Sequence, residues 1–154
     1  MKIEYREGDL FQTDETLILH GCNDQGVMGS GVAKIVREKY PEAYFEYCKA
    51  YKLTGLPGGT FIPVHSNGKV ILNAITQRNY GRDGKRYVNY EWIARIFKDL
   101  NDYVDFFGYA AIAMPKVGAQ LGGGDWNVIS AIIESESKLY KPIVYILPEG
   151  VATQ

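Results

Sequence analysis

The sequence predicts a chain organised around residues 19–33, which read Leu19-His20-Gly21-Cys22-Asn23-Asp24-Gln25-Gly26-Val27-Met28-Gly29-Ser30-Gly31-Val32-Ala33. The apolar run 16–19 predicts a strand that stops at the polar cluster beginning with His20, and the apolar spacing of 32–40 predicts a helix. A strand, a glycine loop and a helix start in this order present backbone N–H groups to an anion. The glycine spacing matches neither of the two best-known nucleotide fingerprints. We therefore expect either a phosphate site at residues 29–33 or a plain connection.

A second glycine-rich loop, 116–124, likewise lies between a predicted strand and a predicted helix. It follows an apolar strand predicted at 109–114 and precedes a helix predicted at 126–139, which Asp125 can cap. In open α/β sheets, ligands bind at the carboxyl ends of strands, where such loops meet. Two loops of this kind can clamp one anionic ligand between two helix starts, which favours phosphate binding over a plain connection.

The rest of the chain alternates strand and helix patterns. Further helices are predicted at 41–51 and 89–106, and further strands at 2–5, 60–64, 70–75 and 143–147. Asn67-Gly68 between two of these strands is a strong hairpin signal, so those two are expected to be antiparallel neighbours. The pattern predicts one α/β domain over 1–154, a three-layer α/β/α sandwich with a central mixed sheet.

Composition narrows the class of function. The net charge is −1 at pH 7, so the chain lacks the strong basic field of a non-specific nucleic-acid binder. The two cysteines, Cys22 and Cys48, have no C-x-x-C spacing, and with only two histidines no metal site is expected. No apolar run approaches the length of a transmembrane helix. We expect a cytoplasmic protein that uses no metal and no cofactor and has no membrane partner.

Three separated motifs resemble the macrodomain family, whose members bind ADP-ribose. They are Gly8-Asp9-Leu10, then His20-Gly21-Cys22-Asn23 with Gly29-Ser30-Gly31-Val32-Ala33, and finally Pro115-Lys116-Val117-Gly118 with Gly122-Gly123-Gly124-Asp125-Trp126. The resemblance covers residues 2–147. It is greatest to the small stand-alone branch that contains ADP-ribose 1''-phosphate phosphatases and terminal ADP-ribose glycohydrolases. The three motifs are specific for the fold and the ligand class, and less specific for the reaction.

The resemblance implies a role for each motif. Asp9 would accept a hydrogen bond from the adenine amine, Asn23 would bind the distal ribose, and residues 29–32 and 118–122 would each wrap one phosphate with backbone donors. The alternatives are that Asp9 is a turn or cap residue and that Asn23 forms a turn. The predicted ligand-binding set is Asp9, Leu10, Phe11, Cys22, Asn23, Gly26, Met28, Gly29, Ser30, Gly31, Val32, Ala33, Thr76, Gln77, Lys116, Val117, Gly118, Ala119, Gln120, Leu121 and Gly122.

The resemblance also constrains catalysis. The glycohydrolases of this branch use a lysine where this chain has Gln77 and an acid where it has Gly122, so their lysine mechanism is not expected here. The phosphatases implicate a histidine that His20 matches, and a histidine can protonate a leaving oxygen or activate water. Its alternative is a structural histidine at a strand end. Asp125 is a second catalytic candidate, with a helix N-cap as its alternative.

Residues 76–88 form a predicted loop that interleaves tyrosines with the basic residues Arg78, Arg82, Lys85 and Arg86. Such a loop can grip nucleic acid, cover the distal ribose, or simply be solvated. The expected function is hydrolysis at the distal ribose, as in an ADP-ribose 1''-phosphate phosphatase. The alternatives are a non-catalytic ADP-ribose reader and an ADP-ribosyl hydrolase that acts on modified nucleic acid or protein.

Overall fold

A computed structural model describes residues 1–81 and 83–148. A short 3-10 helix at Leu10–Gln12 follows the first strand. The strands and α-helices, in chain order, are β1 (Glu4–Glu7), β2 (Leu17–Asn23), α1 (Gly31–Lys39), α2 (Pro41–Leu53), β3 (Phe61–Ser66), β4 (Lys69–Gln77), α3 (Tyr90–Phe107), β5 (Ala111–Met114), α4 (Trp126–Glu136) and β6 (Lys141–Ile146).

One six-stranded sheet organises these elements, in the order β1-β6-β5-β2-β4-β3. All neighbouring strands are parallel except β3 and β4, which pair antiparallel. Asn67 and Gly68 connect that pair, both with positive φ (49° and 78°), as a tight primed hairpin turn requires. The predicted mixed sheet and its hairpin are confirmed.

Successive residues of β2 face opposite sides of the sheet. Leu17 and Leu19 join a buried cluster with Ile93 of α3 and Ile129 of α4. Ile18, between them, belongs instead to the cluster that contains Val32 and Val36 of α1. Because both faces of the central strand are covered by helices, the predicted three-layer α/β/α sandwich is confirmed.

Two central strands extend further than the apolar pattern indicates. β2 was expected to end at Leu19, but His20 and Gly21 stay in register with Asn73 and Ala74 of β4, and the strand reaches Asn23. β4 likewise continues past residue 75 to Gln77. The buried polar side chains of His20 and Asn73 are accommodated inside these strands because they hydrogen-bond to each other, whereas the buried hydroxyl of Thr76 has no hydrogen-bond partner among the described residues.

The last helix ends earlier than expected, at Glu136 rather than residue 139. The hydroxyl of Ser137 donates to the carbonyl of Ile133 (2.7 Å), and the side-chain oxygen of Asn101 accepts from the backbone N–H groups of Lys138 and Leu139 (2.8 and 2.9 Å). These contacts replace the helical hydrogen bonds that the next turn would have made. Residue 101 lies in α3, so its effect on α4 is not visible in the local sequence.

Candidate ligand-binding cleft

A cleft of about 380 Å³ opens where β2, β4 and β5 end. These strands are parallel, so their carboxyl ends share one edge of the sheet, the edge at which open α/β sheets bind ligands. The two glycine loops flank the cleft, as expected. The predicted ligand-binding residues that line it are Cys22, Asn23, Gly29, Ser30, Gly31, Val32, Ala33, Thr76, Gln77, Lys116, Val117, Gly118, Gln120, Leu121 and Gly122.

Six predicted ligand-binding residues are not part of the lining: Asp9, Leu10, Phe11, Gly26, Met28 and Ala119. Leu10 and Phe11 are buried in the cluster beneath α1, and Met28 is buried against Tyr47 of α2. Asp9 precedes the 3-10 helix, where its Oδ1 accepts a hydrogen bond from the backbone N–H of Phe11 (2.9 Å). This cap contact is the alternative that the sequence left open for Asp9.

Five lining residues were missed by the sequence reasoning: Gly21, Val27, Tyr80, Gly81 and Pro115. Pro115 follows β5 directly, and Tyr80 and Gly81 lie in the loop that was considered as a cover for the ribose. Gly21 was placed in the polar cluster after the predicted strand, whereas it lies inside β2. A β-carbon at this position would come within 2.7 Å of the hydroxyl oxygen of Thr76, so the glycine lets the ends of β2 and β4 approach closely.

The first glycine loop opens α1 toward the cleft. Ser30 has an extended backbone (φ −157°) and its hydroxyl makes no capping hydrogen bond, while Gly31 has φ 62°. The first N–H groups of a helix have no intrahelical acceptor, and here they belong to residues 31–33, which all line the cleft. The positive end of the helix dipole therefore meets the cleft without a side-chain cap, an arrangement suited to an anion.

The second glycine loop is held by its own backbone and by the segment before α3. The carbonyl of Gly122 accepts from the N–H groups of Tyr87 and Val88 (2.8 and 3.1 Å), and the carbonyl of Gly118 accepts from Gly124 (2.8 Å). A β-carbon at Gly122 would lie 2.8 Å from the Gly118 carbonyl oxygen. The position at which the glycohydrolases carry an acid is thus closely packed in this chain.

Asn23 lines the cleft, but its amide is engaged by its own turn. Its Oδ1 accepts from the backbone N–H of Gln25 (2.9 Å) and from the hydroxyl of Tyr47 (2.9 Å), and its Nδ2 donates to the carbonyl of Val27 (2.8 Å). The turn-forming alternative for Asn23 therefore describes the contacts that this structure contains.

His20 lies in the sheet rather than in the cleft. Its imidazole is fully buried, and Nε2 donates to the side-chain oxygen of Asn73 (2.6 Å), whose Nδ2 in turn donates to the carbonyl of Ala43 (3.0 Å). Burial lowers the pKa of His20 to about 4, because the low-dielectric interior disfavours the imidazolium. The contacts of His20 match the structural alternative, a neutral imidazole at the strand end that lies outside the cleft lining.

Asp125, the second catalytic candidate, and two of the predicted ligand-binding residues also have structural contacts. Asp125 lies outside the lining and caps α4, with its Oδ1 accepting from the N–H of Asn127 (2.9 Å). Gln77 lies in the lining, and its Nε2 donates to the carbonyl of Asn79 (2.9 Å). Burial raises the pKa of the Cys22 thiol, so this lining cysteine is not a thiolate at neutral pH. Within the described part of the chain, the lining contains no carboxylate and no imidazole.

Cationic side chains lie over aromatic rings at and beside the rim of the cleft. The Lys116 ammonium is 5.9 Å from the centre of the Trp126 ring, and the Arg86 guanidinium is 4.5 Å from that of Tyr90. Arg78 lies 5.7 Å from the ring of Trp92. Arg82, the fourth basic residue predicted for this loop, lies outside the described residues.

Comparison with known proteins identifies the family of this chain. The Macro domain model matches residues 19–133, so the chain belongs to the macrodomain family, as its motifs predicted. The fold agrees, since the macrodomain of Mycobacterium tuberculosis DarG superposes with a TM-score of 0.79 at 25% identity, covering 93% of this chain and 96% of that one.

Two curated relatives are named for reactions at ADP-ribose. An ADP-ribose 1''-phosphate phosphatase of Meyerozyma guilliermondii is 36% identical, over 95% of this chain and 99% of its own length. A DNA ADP-ribosyl glycohydrolase of Mycobacterium tuberculosis is 30% identical over 81% of this chain, which spans only 36% of that protein.

Among the described residues, no helix has the length and apolar character needed to cross a membrane.

Proposed function

We propose that this protein binds ADP-ribose or a derivative in its two-loop cleft and hydrolyses a group at the distal ribose, in the manner of an ADP-ribose 1''-phosphate phosphatase. The observation that carries the proposal is the pair of glycine loops at one sheet edge, with the uncapped start of α1 facing the space between them. Near full-length similarity to a phosphatase supports the reaction.

The binding part follows from the donors that face the cleft. A diphosphate carries about two negative charges, and the backbone N–H groups at residues 31–33 can stabilise them through the helix start. Lys116 adds a cationic side chain to the same lining. Such donors are fixed before the ligand arrives, so their orientation adds no further entropic cost on binding.

The hydrolytic part needs polar groups that hold the substrate and a water molecule. The lining offers the amide of Gln77 and the hydroxyl of Tyr80, but no carboxylate or imidazole among the residues that the structure describes. In this proposal the cleft accelerates hydrolysis mainly by binding the phosphate charge and by orientation. The turnover number is therefore expected to be modest, because a positioned acid or base typically contributes 10²- to 10⁴-fold.

Two measurements test the proposal. Titration calorimetry with ADP-ribose should detect a single site, and phosphate release from ADP-ribose 1''-phosphate should be faster with protein than without it. No binding at millimolar ADP-ribose would refute both the binding and the reaction. Binding without phosphate release would instead favour the non-catalytic reader, a function that also agrees with the lack of acid and base groups in the described lining.

A second candidate, an ADP-ribosyl hydrolase that acts on modified nucleic acid, is favoured by the cations around the cleft. Arg86 and Lys116 lie over aromatic rings, and basic and aromatic groups together bind phosphates and bases. The similarity to a DNA ADP-ribosyl glycohydrolase points the same way.

Charge reversal separates this candidate from the phosphatase. Lys85→Glu with Arg86→Glu should weaken processing of an ADP-ribosylated oligonucleotide and leave the affinity for free ADP-ribose unchanged. The matched control is Lys98→Glu with Lys49→Glu, on helices away from the cleft lining. Equal effects of the two double variants would count against a nucleic-acid substrate.

A further inference from the structure

The outer face of α3, the side turned away from the sheet, exposes two adjacent aromatic side chains near its end. Phe106 is exposed at 81% and Phe107 at 58%. Their rings contact each other, with centres 4.8 Å apart, and the ring of Phe107 also packs on Tyr103 at 4.8 Å. Large exposed rings that adjoin each other are a candidate contact surface, because a partner that covers them removes a large apolar area from water.

Charges of opposite sign are separated along the same helix. Arg95 and Lys98 lie in its first half, and Asp102 and Asp105 lie in its second half. All four side chains are exposed. At 3.6 residues per turn, they fall with Phe106 within about 100° of arc, so they share one face. The outer face of α3 therefore has a basic half and an acidic half that ends in an exposed ring.

The acidic half lies where the helix favours the opposite charge. The carboxyl end of a helix carries partial negative charge and favours cations, yet the last turn of α3 contains Asp105 and no basic residue. No described residue forms an ion pair with Asp105, with Asp102 or with the two cations of the basic half. Arg95 makes only a long hydrogen bond to the carbonyl of Gly58, at 3.5 Å. Each half thus lacks the charge that the other half carries.

Two copies of this helix can supply those charges to each other. If the helices pack antiparallel about a two-fold axis beside position 100, Arg95 lies across from Asp105 of the second copy, and Lys98 lies across from Asp102, because both pairs are centred on the same position. The two-fold axis repeats both oppositions. Each cation then also lies near the carboxyl end of the other helix, where the helix dipole favours it.

The same register places the other side chains of the face. Phe106 lies beside the first half of the second helix, where the aliphatic stem of Arg95 offers an apolar contact and its guanidinium a cation–π contact. Glu91, a further exposed acid, reaches past the end of the second helix. Asp99 is exposed as well, but it lies about 80° to the side of the face. The residues along the line of contact are therefore complementary.

We propose that this protein forms a two-fold symmetric dimer through the outer faces of two antiparallel α3 helices. The cleft lining, within the described part of the chain, contains no residue of α3, so both clefts stay open and the dimer is independent of the proposed function. With 18 residues, α3 is about 27 Å long. A contact of that length is at the small end of protein interfaces, so the dissociation constant is expected in the micromolar range.

Sedimentation velocity from low micromolar to near-millimolar protein tests the dimer. The wild type should change from monomer to dimer over this range, and added salt should weaken the association. Arg95→Glu with Lys98→Glu should weaken it at least about 10-fold, and so should Asp102→Lys with Asp105→Lys, because each double variant places like charges across the axis. Phe106→Ala should weaken it by about 3- to 10-fold through the lost aromatic contact.

An equal mixture of the two charge-reversed double variants is the decisive sample. Its helices again present opposite charges across the axis, so a dimer of one copy of each variant should form with an affinity close to that of the wild type. A variant that merely disturbs folding would not be rescued in this way. Thermal unfolding of each variant alone, followed by circular dichroism, should show a melting temperature close to that of the wild type.

Lys49→Glu with Lys52→Glu is the matched control, since it makes the same charge change on exposed residues of α2. It should leave the dimer intact. Species larger than a dimer that this control abolishes would indicate head-to-tail contacts between α2 and α3 and would overturn the inference. A wild type that stays monomeric near millimolar concentration, or a mixture that fails to form the dimer, would also overturn it.

Discussion

At the residue scale, the side chain of His20 shows how burial changes a chemical role. A histidine in a polar cluster after an apolar run is typical of a site, yet its ring lies in the sheet and donates to Asn73 on the neighbouring strand. Asn73 is 53 positions away along the chain. A neutral imidazole that makes this hydrogen bond stabilises the interior, whereas an imidazolium there would be a buried charge.

The lowered pKa of His20 predicts how stability depends on pH. The folded protein resists protonation down to about pH 4, whereas the unfolded chain takes up the proton near pH 6.5. The contribution of the neutral histidine is therefore complete above pH 6.5 and is lost as the pH falls toward 4. Between pH 7 and pH 5 the loss should be about 2 kcal/mol of unfolding free energy.

Urea denaturation at pH 7 and pH 5 measures this loss. His20→Gln has no titrating group and should show a smaller decrease between the two pH values, although its stability at pH 7 is lower. The exposed His65→Gln is the control and should behave as the wild type. An identical decrease in His20→Gln and the wild type would contradict the buried, neutral histidine.

At the scale of the elements, the two glycine loops differ in how tightly they are packed. In the second loop, a β-carbon at Gly122 would press against the backbone carbonyl of Gly118 at 2.8 Å. In the first loop, a β-carbon at Gly29 would meet only a methyl of Val27, at 3.6 Å, which is an ordinary contact. Gly122 is therefore required for the close packing of the second loop, whereas Gly29 is not required for the packing of the first.

Alanine substitutions should reveal that difference. Gly122→Ala forces the loop backbone to move and should lower the unfolding free energy by about 1–3 kcal/mol. Gly29→Ala fits the space and should change it by less than about 1 kcal/mol in either direction. Both values follow from urea unfolding monitored by tryptophan fluorescence. Equal destabilisation by the two variants would show that the packing of residue 122 has no special cost.

The loops themselves could be predicted from the sequence, but most contacts of individual residues could not. Glycine spacing, the strand before each loop and the helix after it are local features. The cap formed by Asp125 on α4 was also among the local alternatives, and the structure contains it. By contrast, the hydrogen bonds of the Gly122 carbonyl come from Tyr87 and Val88, and no local pattern links these residues.

At the scale of the whole molecule, the mixed sheet brings distant segments to one edge. The parallel pairings of β2 with β4 and with β5 place the ends of three strands, and the loops that follow them, around one cleft. A ligand that fills the cleft contacts residues from all three, so it should bind the folded chain and not the unfolded one.

Ligand binding should therefore raise the melting temperature of the entire domain. With free ADP-ribose at 100 times its dissociation constant, the stabilisation is about 2.7 kcal/mol. For a chain of this size that corresponds to a shift of roughly 5–10 °C. Scanning calorimetry with and without ADP-ribose measures the shift, and an equal concentration of inorganic phosphate controls for ionic effects. A shift of the same size with phosphate alone would argue against a site for the complete ligand.

Local sequence was enough to predict the order of strands and helices, the Asn67-Gly68 hairpin, the two glycine loops and, through its motifs, the macrodomain family. These features depend on short-range periodicity and on backbone conformations that only a few residue types adopt readily. Three features could be seen only in the folded chain: His20 is buried against Asn73, the amide of Asn23 is engaged by Tyr47, and Tyr80 joins the cleft wall. Pairing across strands and between loops sets which polar groups are satisfied and which face a ligand, and those partners are distant in sequence.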